Sequence, residues 1–291
     1  MLPHIGRPAD SPTGTAFRPI FDGRTLKGWH AVPRLGFPPA IDAEKIPSGE
    51  LRERLHAWYG ADPKRQRVLD HRGHWEVVDG AIVGGQQPPG SGLGAYLLTD
   101  DTFGDFELEL EARPDWPADT GIMLRAHELG NVGFQINVDH RPNGAIGGVF
   151  GNKLGSFRAA PFSVTGDELP GFRVGNLREG GSESKFPCPK MQFAAPFSDF
   201  SKAWRVNDWN QFRVRCVGEV PTITTWINGA KICELDTTTI TAPGFSPALV
   251  KRLLGPAGRI GFEVHDNDSM GHNRWAEGAV CRWRNIQVRI I

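Results

Sequence analysis

The feature that most constrains this chain is a pair of alternating stretches, Gly121-Ile-Met-Leu-Arg-Ala-His127 and Gly133-Phe-Gln-Ile-Asn-Val-Asp139. Side chains along an extended strand point to opposite faces in turn, so Ile122 and Leu124 belong to one face and Met123 and Arg125 to the other. Phe134, Ile136 and Val138 then share a face whose reverse carries Gln135, Asn137 and Asp139. Far downstream, Arg259-Ile-Gly-Phe-Glu-Val-His265 repeats the rule, with Ile260, Phe262 and Val264 apolar and Glu263 and His265 polar. If the three segments lie in one sheet, its polar side is a wall carrying Arg125, Gln135, Asp139, Glu263 and His265. Helices cannot satisfy a period of two, so the pattern asks for sheets.

Composition agrees. Among 291 residues, 36 Gly, 23 Pro, nine Trp and 17 Phe favour many short strands and turns over long helices. Lys plus Arg equals Asp plus Glu at 33 each, so there is no basic footprint for nucleic acid. No run reaches the ~18 apolar residues of a membrane span, and the first residues lack an apolar signal core, so the chain as written reads as cytoplasmic, or as exported if a leader has been removed. Cys188, Cys216, Cys233 and Cys281 are spaced too widely for a zinc knuckle or redox pair and imply no disulfide.

Residues 1–16 read as a flexible arm and 17–291 as one domain with insertions at about 30–73 and 151–207. In the first insertion Ser48 is placed to cap a helix to about Tyr59, with Leu51, Leu55 and Trp58 on one face. The second, rich in Gly, Pro and Phe, reads as a cover over one sheet face. Elsewhere hairpin turns are expected at Asp79-Gly80 and Asn228-Gly229. Phe106-Glu-Leu-Glu-Leu-Glu111 alternates cleanly, which leaves Glu107, Glu109 and Glu111 on a solvated face. About a dozen short strands, with helix confined to insertions, specify an all-β fold, an antiparallel β-sandwich or jelly roll.

Ordered tags along the chain resemble the 3-keto-disaccharide hydrolase family. They are Phe21-Asp-Gly-Arg-Thr-Leu-Lys-Gly-Trp29, Trp75-Glu-Val-Val-Asp-Gly80, Leu98-Thr-Asp-Asp101, Phe103-Gly-Asp-Phe-Glu-Leu108 and Thr120-Gly-Ile-Met-Leu-Arg125, followed by Asp208-Trp-Asn210, Trp226-Ile-Asn-Gly229, Gly258 to His265 and Trp283-Arg-Asn-Ile286. The chain departs from the family pattern at Asp119-Thr120-Gly121, where Asn-Ser-Gly is usual, and at Gly133-Phe-Gln-Ile and Phe262-Glu-Val-His. The resemblance implies a concanavalin-A-like sandwich whose concave face takes a small carbohydrate, and cleavage of glycosides already oxidised to a ketone at C3.

A 3-keto group acidifies the C2 proton and places the C1 oxygen β to the carbonyl, so a base, an enolate stabiliser and a leaving-group acid are required. His265 is the first choice of base, because imidazole titrates near neutral pH. Glu263 is placed to orient it and Arg125 to hold the enolate. Gln135, Asp139, Asn137, Arg284 and Trp226 are candidates for sugar contacts. Alternatively Asp139, Glu263 and His265 form a divalent metal site. His272, close to His265 in sequence, is a further residue to place. Two competing functions use the same architecture: a non-catalytic carbohydrate-binding module, and a retaining glucanase drawing its two carboxylates from Glu107, Glu109 and Glu111.

Overall fold

A computed structural model of the chain describes residues 16–43, 45–181, 184–267 and 274–291. Two antiparallel sheets stack face to face. The pocket sheet has seven strands in the order Arg158–Ala159, Ile146–Asn152, Gly133–His140, Ala118–Ala126, Arg259–Val264, Ala95–Thr99 and Trp29–Pro33. The three segments singled out by alternation are therefore consecutive neighbours at its centre. The second sheet has nine strands and is centred on Phe106–Pro114, which lies between Asn210–Val217 and Cys281–Ile290.

Both inner faces are apolar, as period-two patterning requires. Ile122, Leu124, Phe134, Ile136, Val138, Ile260 and Phe262 meet Phe106, Leu108, Phe212, Val214 and Trp283 in one buried cluster. Three family tags are explained by a ring stack through this core: Trp29 lies 5.5 Å from Phe262, and Phe262 lies 4.6 Å from Trp283, with near-parallel planes in both pairs. Hairpins form at Asp79-Gly80 and Asn228-Gly229, each pair at positive φ as a two-residue turn of this hand demands.

Two expectations need correction. The insertion does not begin at residue 30, because Trp29–Pro33 is the edge strand of the pocket sheet, paired with Ala95–Thr99. Nor does Ser48 cap the helix Ser48–Gly60. Pro47 occupies the cap position without a side-chain bond, and the Ser48 hydroxyl donates instead to Leu253 O at 3.1 Å. The helix buries Leu51, Leu55 and Tyr59, while Trp58 is half-buried under the guanidinium of Arg65.

Residues 151–207 hold more regular structure than their composition suggests. Arg158–Ala159 extends the pocket sheet, Val164–Leu169 and Arg173–Glu179 form a separate hairpin, Phe193–Ala194 extends the second sheet and Phe197–Ala203 is helical. Phe157, Phe162 and Phe200 join the core. No helix among the described residues is long and apolar enough to cross a membrane. All four cysteines are free, and Cys216, Cys233 and Cys281 are buried.

Candidate active site

The outer face of the pocket sheet is polar but not solvated: every residue of Ala118–Ala126 and Gly133–His140 is buried. Register sets Asp119 opposite Asp139, Gly121 opposite Asn137 and Met123 opposite Gln135. The Asp119 amide donates to Arg274 O at 2.8 Å and the Asp139 amide to Ala145 O at 2.9 Å. Both amides thus turn away from the facing strand, the type of cross-strand pair in which side chains approach most closely. Two carboxylates are forced together.

Their environments drive them apart in acidity. Burial, and then the charge of Asp119, pushes the Asp139 carboxyl up to about 7. Burial opposes ionisation of Asp119 too, but the guanidinium charges of Arg141 and Arg274 outweigh it and hold that carboxyl below its ordinary value. Arg274 Nη1 donates to Asp119 Oδ2 at 2.8 Å, and Arg141 Nη2 lies 3.3 Å from the same oxygen. Arg141 Nε is 2.8 Å from Asp139 Oδ1, an ion pair whose N–H is not aimed at the oxygen. Both of those atoms, and Asn137 Oδ1, are buried without a hydrogen-bond partner. A ligand would supply what is missing.

Beside this pair lies a closed polar network. Glu263, 1% exposed, accepts from Arg34 Nε and Tyr96 OH on Oε1, each at 2.7 Å, and from Gln135 Nε2 on Oε2 at 2.6 Å. Gln135 Oε1 in turn accepts from Asn152 Nδ2 at 2.7 Å. Gln135 reaches Glu263 by crossing directly over Gly121, where any Cβ would come within 2.2 Å of its amide nitrogen.

His265 follows the last strand residue, Val264. Its Nε2 is 2.8 Å from Arg34 Nη2, and its Nδ1 is 2.7 Å from Asp266 O and 2.9 Å from Asp266 Oδ1. A guanidinium only donates, so Nε2 accepts and the ring proton sits on Nδ1. Burial works against ionised Asp266, but the His265 hydrogen bond and Arg34 hold its carboxyl well below the usual range.

These groups bound a pocket of about 240 Å³ lined by Arg34, Asp119, Gln135, Asn137, Asp139, Arg141, Asn152, Arg158, His265, Asp266 and Arg274, with Phe150 and Phe186 as its apolar wall. Of the residues singled out by sequence, Gln135, Asn137, Asp139 and His265 line it, and Glu263 lies just beneath.

The others do not. Arg125 adopts φ of +48°, where the register between its strand and Arg259–Val264 slips, and the irregularity sends its side chain away from the pocket. There it donates to Gly104 O at 2.9 Å and Asp105 Oδ1 at 2.7 Å. Arg284 and Trp226 belong to the second sheet. A bulge at Asn285 releases Arg284 from the phase of Ile286, and it bonds Glu111 at 2.6 Å over the ring of Trp209. Trp226 carries the guanidinium of Arg213. Glu107, Glu109 and Glu111 also lie on the second sheet and are engaged by Arg213, Arg215, Arg289, Gln287 and Arg284. They supply no carboxylate pair to the pocket.

The metal alternative does not fit either. Glu263 has both oxygens bound by donors, and the guanidinium of Arg34 stands against both Glu263 and His265, a fixed positive charge where a dication would sit. Among the described residues no three His, Cys, Asp or Glu side chains are grouped to hold an ion. His272 lies outside the described residues.

Sequence reasoning passed over Arg34, Asp119, Arg141, Asp266 and Arg274. Asp119 was within reach: it shares phase with Gly121 and Met123, and Arg141 extends the phase of Asp139 in the same way. Arg34, Asp266 and Arg274 sit on loops, where no periodicity announces a direction.

A family model described as "3-keto-alpha-glucoside-1,2-lyase-like domain" matches residues 16–289. No curated protein sequence matches the chain. Among solved structures, a putative glycosyl hydrolase from Parabacteroides distasonis is similar at 12% identity and a TM-score of 0.45, over 94% of each chain. A second from that organism shares 17% identity over 75% of this chain and 90% of its own, with a TM-score of 0.42. A carbohydrate-binding module from Bacillus subtilis shares 12% identity over 75% of this chain and 91% of its own, with a TM-score of 0.38.

Proposed function

The chain belongs to the 3-keto-alpha-glucoside-1,2-lyase-like family, and on that premise we propose that it cleaves 3-keto-glycosides by proton abstraction at C2 and elimination at C1, with Asp139 as the base. The observation that carries this reading is the Asp119–Asp139 pair in a pocket rich in arginine, with one carboxyl pushed up to about 7. A base poised near the working pH is what removal of a ketone-activated proton asks for.

The Asp139 carboxylate takes the C2 proton while the electron pair moves into the C3 carbonyl as an enolate. Arg141 and Arg274 offer charge to the enolate oxygen, the former with an N–H that has no present acceptor. Collapse of the enolate forms the C1–C2 double bond and expels the C1 oxygen. That oxygen leaves with the proton Asp139 has just taken, since a carboxyl titrating near 7 holds and returns a proton with comparable ease. Addition of water across the double bond converts the elimination into net hydrolysis. His265 is the weaker choice of base because its Nε2 lone pair is occupied by Arg34; in this reading it anchors that arginine.

A binding module using the same face would have no use for a carboxyl titrating near 7. The test is incubation with a 3-keto-glucoside and its unoxidised parent. Cleavage of the first alone is expected, with Asp139→Asn slower by at least about a hundredfold. Equal cleavage of both would indicate an ordinary glycosidase, and tight binding without turnover would indicate a module.

A further inference from the structure

Three of the four arginines lining the pocket are matched by carboxylates: Arg34 by Glu263 and Asp266 at 2.7 Å each, Arg274 by Asp119 at 2.8 Å and Arg141 by Asp139 at 2.8 Å. Arg158 is not matched. Its Nη2 reaches only the Asn143 carbonyl oxygen at 3.4 Å, and no carboxylate of the described residues lies within ion-pair distance of it, although its charge acts on Asp139 from farther off. On the second sheet Arg213, Arg215, Arg282, Arg284 and Arg289 each pair with an Asp or Glu, and Arg113 lies over the Trp209 ring.

Nor is Arg158 a loose surface side chain. It is half-buried, its strand pairs with Phe150, and its own amide donates to Pro187 O at 2.9 Å. The backbone that carries the guanidinium is therefore fixed at an edge of the pocket, next to the Phe150–Phe186 ring pair whose centroids are 5.0 Å apart. A lining guanidinium with its fork open suits an oxyanion presented in a plane, and apolar rings beside it suit the body of the group bearing that charge.

We propose that the group attached at C1 of the sugar carries an anionic oxyacid, a carboxylate or a phosphate, that pairs with Arg158. This deepens the reading of the pocket given above and rests on it for the sugar end. Where Asp139 is protonated, Arg141 also lacks an ionised partner on one side, so the pocket has a surplus of positive charge to offer.

The test uses unoxidised phenyl glucosides, which the proposed chemistry leaves intact, bearing a para carboxylate, a para phosphate or a neutral para hydroxymethyl group. Dissociation constants are measured by calorimetry on the full chain. At least one anionic glucoside is expected to bind about tenfold more tightly than the neutral one, the scale of a single charge-assisted contact. The two anionic arms identify which oxyacid is preferred. The preference should collapse to near unity in Arg158→Gln, persist in part in Arg158→Lys and persist in full in Arg178→Gln, a control on the exposed hairpin. Equal affinities in the wild type, no measurable binding of either anionic glucoside, or a preference that survives Arg158→Gln overturns the proposal. Cleavage of the matching 3-keto forms is scored separately. A preference without cleavage removes the lyase reading and keeps the anion site, and cleavage without a preference does the reverse.

Discussion

At the scale of single residues, the chemistry turns on which group owns the titration near neutrality. If Asp139 is the base, activity on a 3-keto-glucoside rises with pH through about 7, because the carboxyl must lose its proton to act. Asp119→Asn removes the second cause of that elevation but not the first, burial. The rising limb of the rate profile should therefore move to lower pH without reaching an ordinary carboxylate range. An unmoved limb would assign the titration to another group. His265 is separable by a pair of substitutions. If it serves to fix Arg34 through an acceptor, His265→Gln should retain most activity, since an amide oxygen can take the same hydrogen bond, while His265→Ala loses about tenfold or more. Equal, near-complete loss in both variants would restore the imidazole as the base.

At the scale of elements, the site depends on register. Asp119 opposite Asp139 and Met123 opposite Gln135 place an open position at Gly121, over which Gln135 crosses to Glu263 on the next strand. Gly121→Ala puts a methyl against that side chain. It should break the Gln135–Glu263 bond and leave a buried carboxylate short of a donor, costing on the order of 1–3 kcal/mol in denaturant unfolding. Stability equal to wild type would mean that Gln135 has another route. The same strands show what a sequence can and cannot announce. Alternation identified Gln135, Asn137, Asp139 and Glu263 as one face, because period two is a property of the chain alone. It misassigned Arg125 because a register irregularity, with φ of +48°, resets the phase within the strand, and nothing in Met-Leu-Arg-Ala marks one. Arg284 was displaced by the same device at Asn285. Arg34 and Arg274 were invisible for a different reason: they reach the site from loops, whose direction is set by packing rather than by spacing.

At the scale of the whole molecule, the pocket leaves a mark on stability. Asp139 has an ordinary value of 3.8 and titrates at about 7 when folded, so between those limits the folded state binds a proton that the unfolded chain has released. Stability from this group is therefore present at low pH and lost as pH rises through that window, the opposite of a salt-bridged carboxylate. Buried His140 works the other way. Burial lowers it from 6.5 to about 4, so it adds stability as pH rises between those values and masks the Asp139 contribution in any single melting curve. The mask is common to wild type and Asp139→Asn and cancels in their difference. The stability of wild type relative to Asp139→Asn should accordingly fall from pH 4 to pH 7, by an amount on the order of a few kcal/mol, and level off above. Urea unfolding of both proteins across pH 4 to 8 measures it. A difference that stays flat across the window would mean that the Asp139 carboxyl is not held neutral by the fold, and the base assigned to this site would fall with it.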